Sequence, residues 1–287
     1  MNNSIRLIEC PRDAMQGWTE IIPTKKKIAY LNALLKVGFD TLDFGSFVSA
    51  KAIPQMADTL DVVTKLDVSS STTKLLAIVA NIRGAREAVA IDEISYLGFP
   101  FSVSPTFQTR NTNSSIETSL LTVEAIHELC LTHNKTAVVY LSMGFGNPYL
   151  DQYSTDIVLK WMEQLANLDI SIISLADTVG VAEPSQVTSL LNMLIPAYPN
   201  IELGIHLHSS PHTWKTKVQS ALMAGCYRFD GALRGIGGCP MANDELVGNI
   251  DTALMIPYFQ EEDLLPGIDE AALQEALRMA DEIFTRH

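Results

Sequence analysis

Cysteine is scarce in this chain, and the cysteines that are present do not pair by spacing. The 287 residues contain four, Cys10, Cys130, Cys226 and Cys239, and no two of them form a Cys-x-x-Cys unit. This spacing argues against a zinc knuckle and against a disulfide scaffold, and it fits a reducing compartment. We therefore expect a cytoplasmic protein with free thiols.

Long apolar runs and an excess of positive charge are also missing. No stretch approaches the roughly 18 uninterrupted apolar residues of a membrane-spanning helix, so we expect no contact with membranes. The first residues run straight into a strand pattern, and we expect no signal or transit peptide. A net charge of −13 disfavours a nucleic-acid surface. Any anionic ligand must therefore be held by local cations.

Short β-rich runs alternate with longer helical runs along the chain. The predicted strands cover 6–9, 41–43, 75–80, 93–97, 136–142, 170–175, 201–206 and 227–230. The predicted helices include 24–36, with Thr24 as its N-cap, 115–133, 155–167, 184–195 and 211–224. This alternation indicates a parallel sheet, and eight units predict an α/β protein with a TIM (β/α)8 barrel, although an open doubly wound sheet stays possible.

We expect a single catalytic domain. The barrel would cover about residues 5–240, and additional C-terminal helices would cover about residues 241–287. No internal repeat, low-complexity tract or clear linker divides the chain.

Polar and ionisable residues collect directly after the predicted strands. They are Arg12, Asp13 and Gln16 after the first strand, Asp43 at the end of the second, Asp177 and Thr178 after the sixth, His206 and His208 at the seventh, and Cys239 and Asn249 beyond the eighth. The carboxyl ends of the strands form the active-site face of such a barrel. Each residue alone could be a helix cap or a satisfied core group, but together they predict a site.

The sequence Ile-His-Leu-His at 205–208 ends the seventh predicted strand. Side chains alternate between the two faces of a strand, so His206 and His208 share one face. Two imidazoles on one face make half of a metal site, because histidine is the commonest metal ligand. From this motif alone, two hydrogen-bonded core histidines are an equally open interpretation.

An ordered set of motifs resembles the DRE-TIM metallolyases and, within that superfamily, the 3-hydroxy-3-methylglutaryl-CoA lyase family. The motifs are RDAMQ at 12–16, DFGSFVSAKAIPQM at 43–56, ADTVG at 176–180, IHLH at 205–208, GIGGCPMA at 235–242 and GN at 248–249. The resemblance covers most of the chain. It implies a TIM barrel that acts as a homodimer and cleaves the acyl-CoA thioester 3-hydroxy-3-methylglutaryl-CoA to acetyl-CoA and acetoacetate.

The resemblance also implies a metal set. Asp13, His206, His208 and Asn249 would hold a divalent cation, Mg²⁺ or Mn²⁺, since these are oxygen and nitrogen ligands without a thiolate. The base that takes the proton from the substrate hydroxyl would be His206 or Asp13, and the sequence leaves both open.

Further roles follow from the same resemblance. Arg12 would face the substrate thioester, and Gln16 and Thr178 are candidate substrate contacts at the same rim. Asp43 occupies the place of a family glutamate that supports the arginine. Asp177 would orient groups beside the metal. Cys239, in its glycine-rich loop, would be the acid/base that protonates the departing enolate.

The chain departs from the family pattern at several positions near the expected site. Ala14 stands where glycine is usual, Ser209 and Ser210 replace an Asp-Thr pair, and Asn147 replaces a second loop cysteine. The metal set itself is intact, so we expect chemistry of this kind to be kept. The departures instead affect which acyl group the site accepts.

Two other functions stay open. The first is a Claisen-type synthase of the same superfamily, similar to isopropylmalate or homocitrate synthase. Those enzymes usually carry Gly-Glu-Arg where this chain has Gly-Cys-Pro at 238–240. The second is a non-enzymatic barrel that uses a metal as a structural element, against which the presence of Arg12, Asp13 and Cys239 weighs.

Overall fold

The computed structural model describes residues 4–238, 248–265 and 267–285. Its strands are β1 (Arg6–Glu9), β2 (Thr41–Ser46), β3 (Lys74–Ile78), β4 (Ile94–Ser102), β5 (Thr136–Ser142), β6 (Ile172–Asp177), β7 (Glu202–Leu207) and β8 (Arg228–Gly231). Neighbouring strands are parallel, and the sheet closes where β8 pairs with β1. The predicted TIM barrel is confirmed, and the open doubly wound sheet is wrong.

Helices follow the strands around the barrel. They are α1 (Pro11–Gln16), α2 (Thr24–Leu34), α3 (Thr59–Val63), α4 (Ile82–Val89), α5 (Pro105–Thr112), α6 (Ile116–Thr132), α7 (Thr155–Ala166), α8 (Pro184–Ala197), α9 (Trp214–Met223), α10 (Thr252–Glu261) and α11 (Glu270–Ile283). Several begin at side-chain caps: Asn81, Ser104, Ser115 and Ser154 each accept a backbone N–H of the first turn.

One prediction about the helices needs correction. Thr24 is the first residue of α2 and not its N-cap, which is Pro23; the Thr24 hydroxyl donates to Asp58 with 2.7 Å between the two oxygens. The segment after β1, which carries Arg12, Asp13 and Gln16, forms the short helix α1. Pro11 opens that helix, since its fixed φ suits the first helical turn.

Two strands are longer than the sequence indicated. β2 continues past Asp43 to Ser46, with a shift of register against β3 between Asp43 and Gly45. β4 continues through Gly98 and Pro100 to Ser102. A side chain at Gly98 would place its Cβ only 2.6 Å from the Ile78 side chain. Glycine is therefore needed at this position inside the barrel wall.

The core has two parts. The outer faces of the strands pack against the helices, whereas the barrel interior holds a smaller cluster of Leu76, Tyr96, Val138, Tyr140 and Ile172. After β8 the chain adds α10, whose Phe259 ring packs 4.9 Å from Phe229 of β8, and α11, which packs against α2. Within the described ranges, no helix is both long enough and apolar enough to cross a membrane.

Candidate metal and substrate site

The two histidines lie at the carboxyl end of β7, where this strand meets the rim of the barrel. His206 lies within β7, and His208 follows the strand and forms an isolated antiparallel bridge with Asn249. The centroids of the two imidazole rings are 5.3 Å apart. The alternation of side chains along the strand thus places both rings on the same side.

Helix α1 brings Asp13 to the two imidazoles. One ligand atom from each of Asp13, His206 and His208 lies within 4.8 Å of the other two. Asn249 joins them, because its Nδ2 donates to Asp13 Oδ2 over 2.6 Å and to the Ile236 carbonyl over 2.9 Å. The four residues of the predicted metal set therefore lie together at one point of the rim.

Two buried polar atoms in this cluster have no hydrogen-bond partner among the described residues. They are His208 Nε2 and Asn249 Oδ1. Buried polar atoms are almost always paired, so an open nitrogen and an open oxygen beside a carboxylate need an explanation. A divalent cation with mixed nitrogen and oxygen ligands fits this donor set.

The protonation states of the cluster also suit a cation. Burial lowers the pKa of His208 to about 4, and the neighbouring His206 adds to this effect. Burial alone would raise the pKa of Asp13, but Arg12 and the two imidazoles outweigh it and the pKa is lowered. At neutral pH His208 is therefore neutral and Asp13 is ionised, which leaves a lone pair on each.

Asp230 lies beneath His206 and was not selected from the sequence. Its Oδ2 is 3.2 Å from His206 Nδ1, and β7 and β8 are in register at these two residues. Burial would lower the pKa of His206, but the hydrogen bond and the charge of Asp230 outweigh it and raise the pKa. Asp230 ends the predicted eighth strand, so the strand-end criterion that selected Asp43 could have found it.

Arg12 and Asp43 form a buried ion pair beside the cluster. Arg12 Nε lies 3.0 and 3.2 Å from the two carboxylate oxygens of Asp43, and its NH2 nitrogen also donates to this carboxylate. The NH1 nitrogen donates to Asp13 Oδ1 over 3.0 Å. Burial raises the pKa of Asp43 to about 6 against the opposing charge of Arg12. The pair fixes the plane of the guanidinium at the mouth of the barrel.

The sequence predicted Asp43 at the end of a strand, and this prediction is wrong. Asp43 lies within β2, and its side chain is fully buried. The longer strand places the carboxylate below the rim, where it reaches Arg12 from beneath.

Gln16 and Thr178 both contact members of the cluster. Gln16 Nε2 donates to Asp13 Oδ1 over 2.9 Å. Thr178 accepts the Met143 backbone N–H at its hydroxyl, and its backbone contacts the His208 ring. These two side chains are therefore already hydrogen-bonded within the protein at the edge of the cluster.

Asp177 reaches the cluster through a lysine. Its carboxylate accepts the Ala182 backbone N–H and the ammonium of Lys217, with 3.0 Å between Lys217 Nζ and Asp177 Oδ2. Burial raises the pKa of Asp177, and Lys217 opposes this rise. Lys217 also donates to the His208 carbonyl. Nothing in the local sequence singles out this lysine, which lies in the middle of α9.

The glycine-rich loop begins directly over the cluster. Gly237 has a φ of +108°, and a Cβ there would lie 2.5 Å from Asn249 Nδ2 and 3.0 Å from the Asp13 carbonyl oxygen. Glycine is required because the backbone approaches this closely. Cys239, the predicted acid/base, lies outside the described residues.

Fold and site together define an α/β barrel protein with a candidate metal centre at the carboxyl ends of its strands. The chain belongs to the HMGL-like family, which matches residues 6–280. Similar curated proteins are the hydroxymethylglutaryl-CoA lyase YngG of Bacillus subtilis, 31% identical over 95% of this chain and 90% of that protein, and the human cytoplasmic 3-hydroxy-3-methylglutaryl-CoA lyase, 30% identical over 95% and 73%.

Solved structures agree with this assignment. The Bacillus subtilis HMG-CoA lyase superposes with a TM-score of 0.90 at 30% identity, over 99% of this chain and 96% of that chain. An HMG-CoA lyase from Acinetobacter baumannii, solved in complex with coenzyme A and 3-methylmalate, superposes with a TM-score of 0.90 at 30% identity, over 99% and 92%.

Proposed function

We propose that the protein is a divalent-cation-dependent carbon–carbon lyase that cleaves 3-hydroxy-3-methylglutaryl-CoA to acetyl-CoA and acetoacetate. The observation that carries this proposal is the cluster of Asp13, His206 and His208 within 4.8 Å, with the Arg12 guanidinium hydrogen-bonded to Asp13. The relatives that are named as lyases of this thioester support the choice of substrate.

Asp13, His206, His208 and Asn249 would hold the cation. Their nitrogen and oxygen donors favour Mg²⁺ or Mn²⁺ over structural zinc, which in proteins usually has thiolate ligands. When bound, the cation lowers the pKa of the substrate hydroxyl and neutralises charge that develops on the chelated oxygens.

The chain's own residues supply the remaining steps. A base, His206 or Asp13, takes the proton of the tertiary hydroxyl. The bond between C2 and C3 breaks, its electron pair forms the thioester enolate, and acetoacetate is released. Arg12 offers a permanent cation to the enolate oxygen, and Asp43 holds its guanidinium in place.

Cys239 would finish the reaction by donating its thiol proton to the enolate carbon, which gives acetyl-CoA. A thiol with an ordinary pKa of about 8.5 is a suitable proton donor near neutral pH. Gln16 and Thr178 at the edge of the cluster would contact the substrate, and Asp177 would act on the site through Lys217.

The Claisen-type synthase is the alternative that an assay must exclude. A synthase must hydrolyse its product thioester, which needs a positioned water and a base, whereas the sequence Gly-Cys-Pro at 238–240 offers a thiol. The site chemistry therefore favours cleavage. A homodimer, a cytoplasmic location and the choice between Mg²⁺ and Mn²⁺ remain predictions.

One assay tests the proposal directly. The Mn²⁺-loaded protein is incubated with 3-hydroxy-3-methylglutaryl-CoA and, separately, with acetyl-CoA plus several 2-oxo acids. We expect acetoacetate and acetyl-CoA in equal amounts from the first incubation and no condensation in the second. Condensation without cleavage would show that the protein is a synthase and not a lyase. Cleavage of a different 3-hydroxyacyl-CoA alone would keep the proposed reaction and correct the proposed substrate.

A further inference from the structure

Lys217 is a buried lysine at the centre of three hydrogen bonds behind the metal cluster. It projects from α9, and only 5% of its surface is exposed. Its Nζ lies 3.0 Å from Asp177 Oδ2, 3.1 Å from the Gly180 carbonyl oxygen and 3.0 Å from the His208 carbonyl oxygen. An ammonium has three N–H donors and no acceptor, so these three partners accept all of its hydrogen bonds.

The three partners come from two segments of the rim. Asp177 and Gly180 bracket the turn that follows β6, and His208 follows β7. Thr178 lies inside the bracketed turn, and its backbone contacts the His208 ring. Lys217 therefore fixes both the backbone of the histidine and the turn that contacts its ring.

The Thr178 backbone contacts the His208 ring, and the Nε2 atom of that ring is buried and has no hydrogen-bond partner among the described residues. A ligating histidine is usually held in a fixed orientation by a neighbouring carbonyl or carboxylate. A shift of either rim segment would turn Nε2 away from Asp13 and His206.

General stability does not explain the burial of this pair. A buried ion pair often contributes no more to folding than apolar residues of the same volume, because the loss of hydration offsets the attraction. The Lys217 ammonium, in contrast, bonds the backbone of a candidate ligand directly.

We propose that Lys217 is a positioning residue that holds His208 in the orientation required for metal binding, with Asp177 as its counter-charge. This inference rests on the proposed metal site. It gives Asp177 a defined role, which is to hold the ammonium where it reaches the His208 carbonyl.

The test measures metal affinity and does not depend on turnover. Mn²⁺ dissociation constants are determined by electron paramagnetic resonance for wild type, Lys217→Met and the double variant Asp177→Asn/Lys217→Met. The double variant leaves no uncompensated buried carboxylate, so it can fold even where the single variant fails. We expect Mn²⁺ binding to be roughly 10–100-fold weaker in every variant that lacks Lys217, the usual effect of removing a group that orients a ligand.

Lys27 provides a matched control. It is buried to a similar extent in α2, and its ammonium bonds to Asp58 Oδ1 and to the Gln55 carbonyl. The variants Lys27→Met and Asp58→Asn/Lys27→Met thus remove the same kind of ion pair elsewhere in the fold. We expect them to lower the melting temperature as the Lys217 variants do and to bind Mn²⁺ with wild-type affinity.

The outcomes separate this inference from the proposed function. Wild-type Mn²⁺ affinity in the double variant would overturn the positioning role of Lys217, as would an equal loss of affinity in the Lys27 variants. If His208→Ala binds Mn²⁺ as tightly as wild type, the metal site itself is wrong and the proposed function fails with it.

Discussion

His206 Nδ1 and Asp230 Oδ2 lie 3.2 Å apart, at residues that pair in register across β7 and β8. This contact leaves the Nε2 side of the His206 ring for Asp13 and His208. A carboxylate that binds the second nitrogen of a ligating histidine fixes its tautomer and orientation. We therefore expect Asp230 to influence metal binding without touching the metal.

Replacing Asp230 with alanine should weaken Mn²⁺ binding by roughly 10–100-fold, because the His206 ring would lose its fixed orientation. Isothermal titration with Mn²⁺ measures this effect. Asp230→Asn retains an acceptor oxygen and should lose less. Equal Mn²⁺ affinity in the alanine variant and the wild type would show that Asp230 has no role in orienting His206 for metal binding.

Arg12 should not tolerate lysine. The guanidinium bonds to Asp43 and Asp13 at the same time, whereas an ammonium is a point charge that cannot reproduce this planar fork. We expect Arg12→Lys to lower kcat by about 10²–10³-fold, as for the loss of a donor aimed at a developing oxyanion.

The matched control for Arg12 is Arg278 in α11, which forms a comparable fork with Glu275 on the surface. Arg278→Lys should leave turnover unchanged in steady-state kinetics. If Arg12→Lys also retained wild-type kcat, the guanidinium would have no part in stabilising the enolate.

Cys239→Ser should fold normally and bind Mn²⁺, but its turnover should fall by about two to four orders of magnitude, the usual range for a general acid/base. Alkylation provides a second measurement. The other three cysteines are buried, so a thiol reagent should inactivate through Cys239, and substrate should protect. Wild-type turnover in the serine variant would contradict the proton-donor role.

The polar residues of the site could be predicted because they follow from one rule. In a barrel of parallel strands, residues after different strands meet at one rim. Asp13, His206, His208 and Asn249 are far apart in sequence, yet a ligand atom of each of the first three lies within 4.8 Å of the others and Asn249 bonds to Asp13.

Other parts of the site depend on packing that local sequence does not encode. Asp43 was expected at a strand end but lies inside β2, which continues to Ser46 past a register shift against β3. Lys217 lies on α9, and its ammonium reaches the rim at Asp177, which ends β6, and at the His208 carbonyl after β7. A helical lysine is normally exposed, so its sequence context predicts a surface residue.

Glu9 gives the free energy of unfolding a pH dependence. It is fully buried, and burial raises its pKa from the ordinary value of 4.5 to about 8. As the pH rises between these values, the unfolded chain releases the proton while the folded protein retains it. The stability that is present at low pH is therefore lost as the pH approaches 8.

Glu9→Gln should remove this pH dependence of the free energy of unfolding. The amide oxygen can still accept the Leu233 backbone N–H, and no proton is involved. We expect the variant to be more stable than wild type by roughly 2–4 kcal/mol at pH 8 and to differ little at pH 4. Urea unfolding at several pH values measures the difference, and parallel pH profiles of the two proteins would show that Glu9 is not held neutral.

The most direct test of the account compares metal content and acetoacetate release in the same samples. Wild type and His206→Ala are treated with a chelator, titrated with Mn²⁺, and assayed with 3-hydroxy-3-methylglutaryl-CoA. We expect wild type to lose activity on chelation and to recover it in proportion to bound Mn²⁺, and we expect His206→Ala to recover neither metal nor activity. Full acetoacetate release by the chelator-treated wild type would contradict the proposed metal dependence.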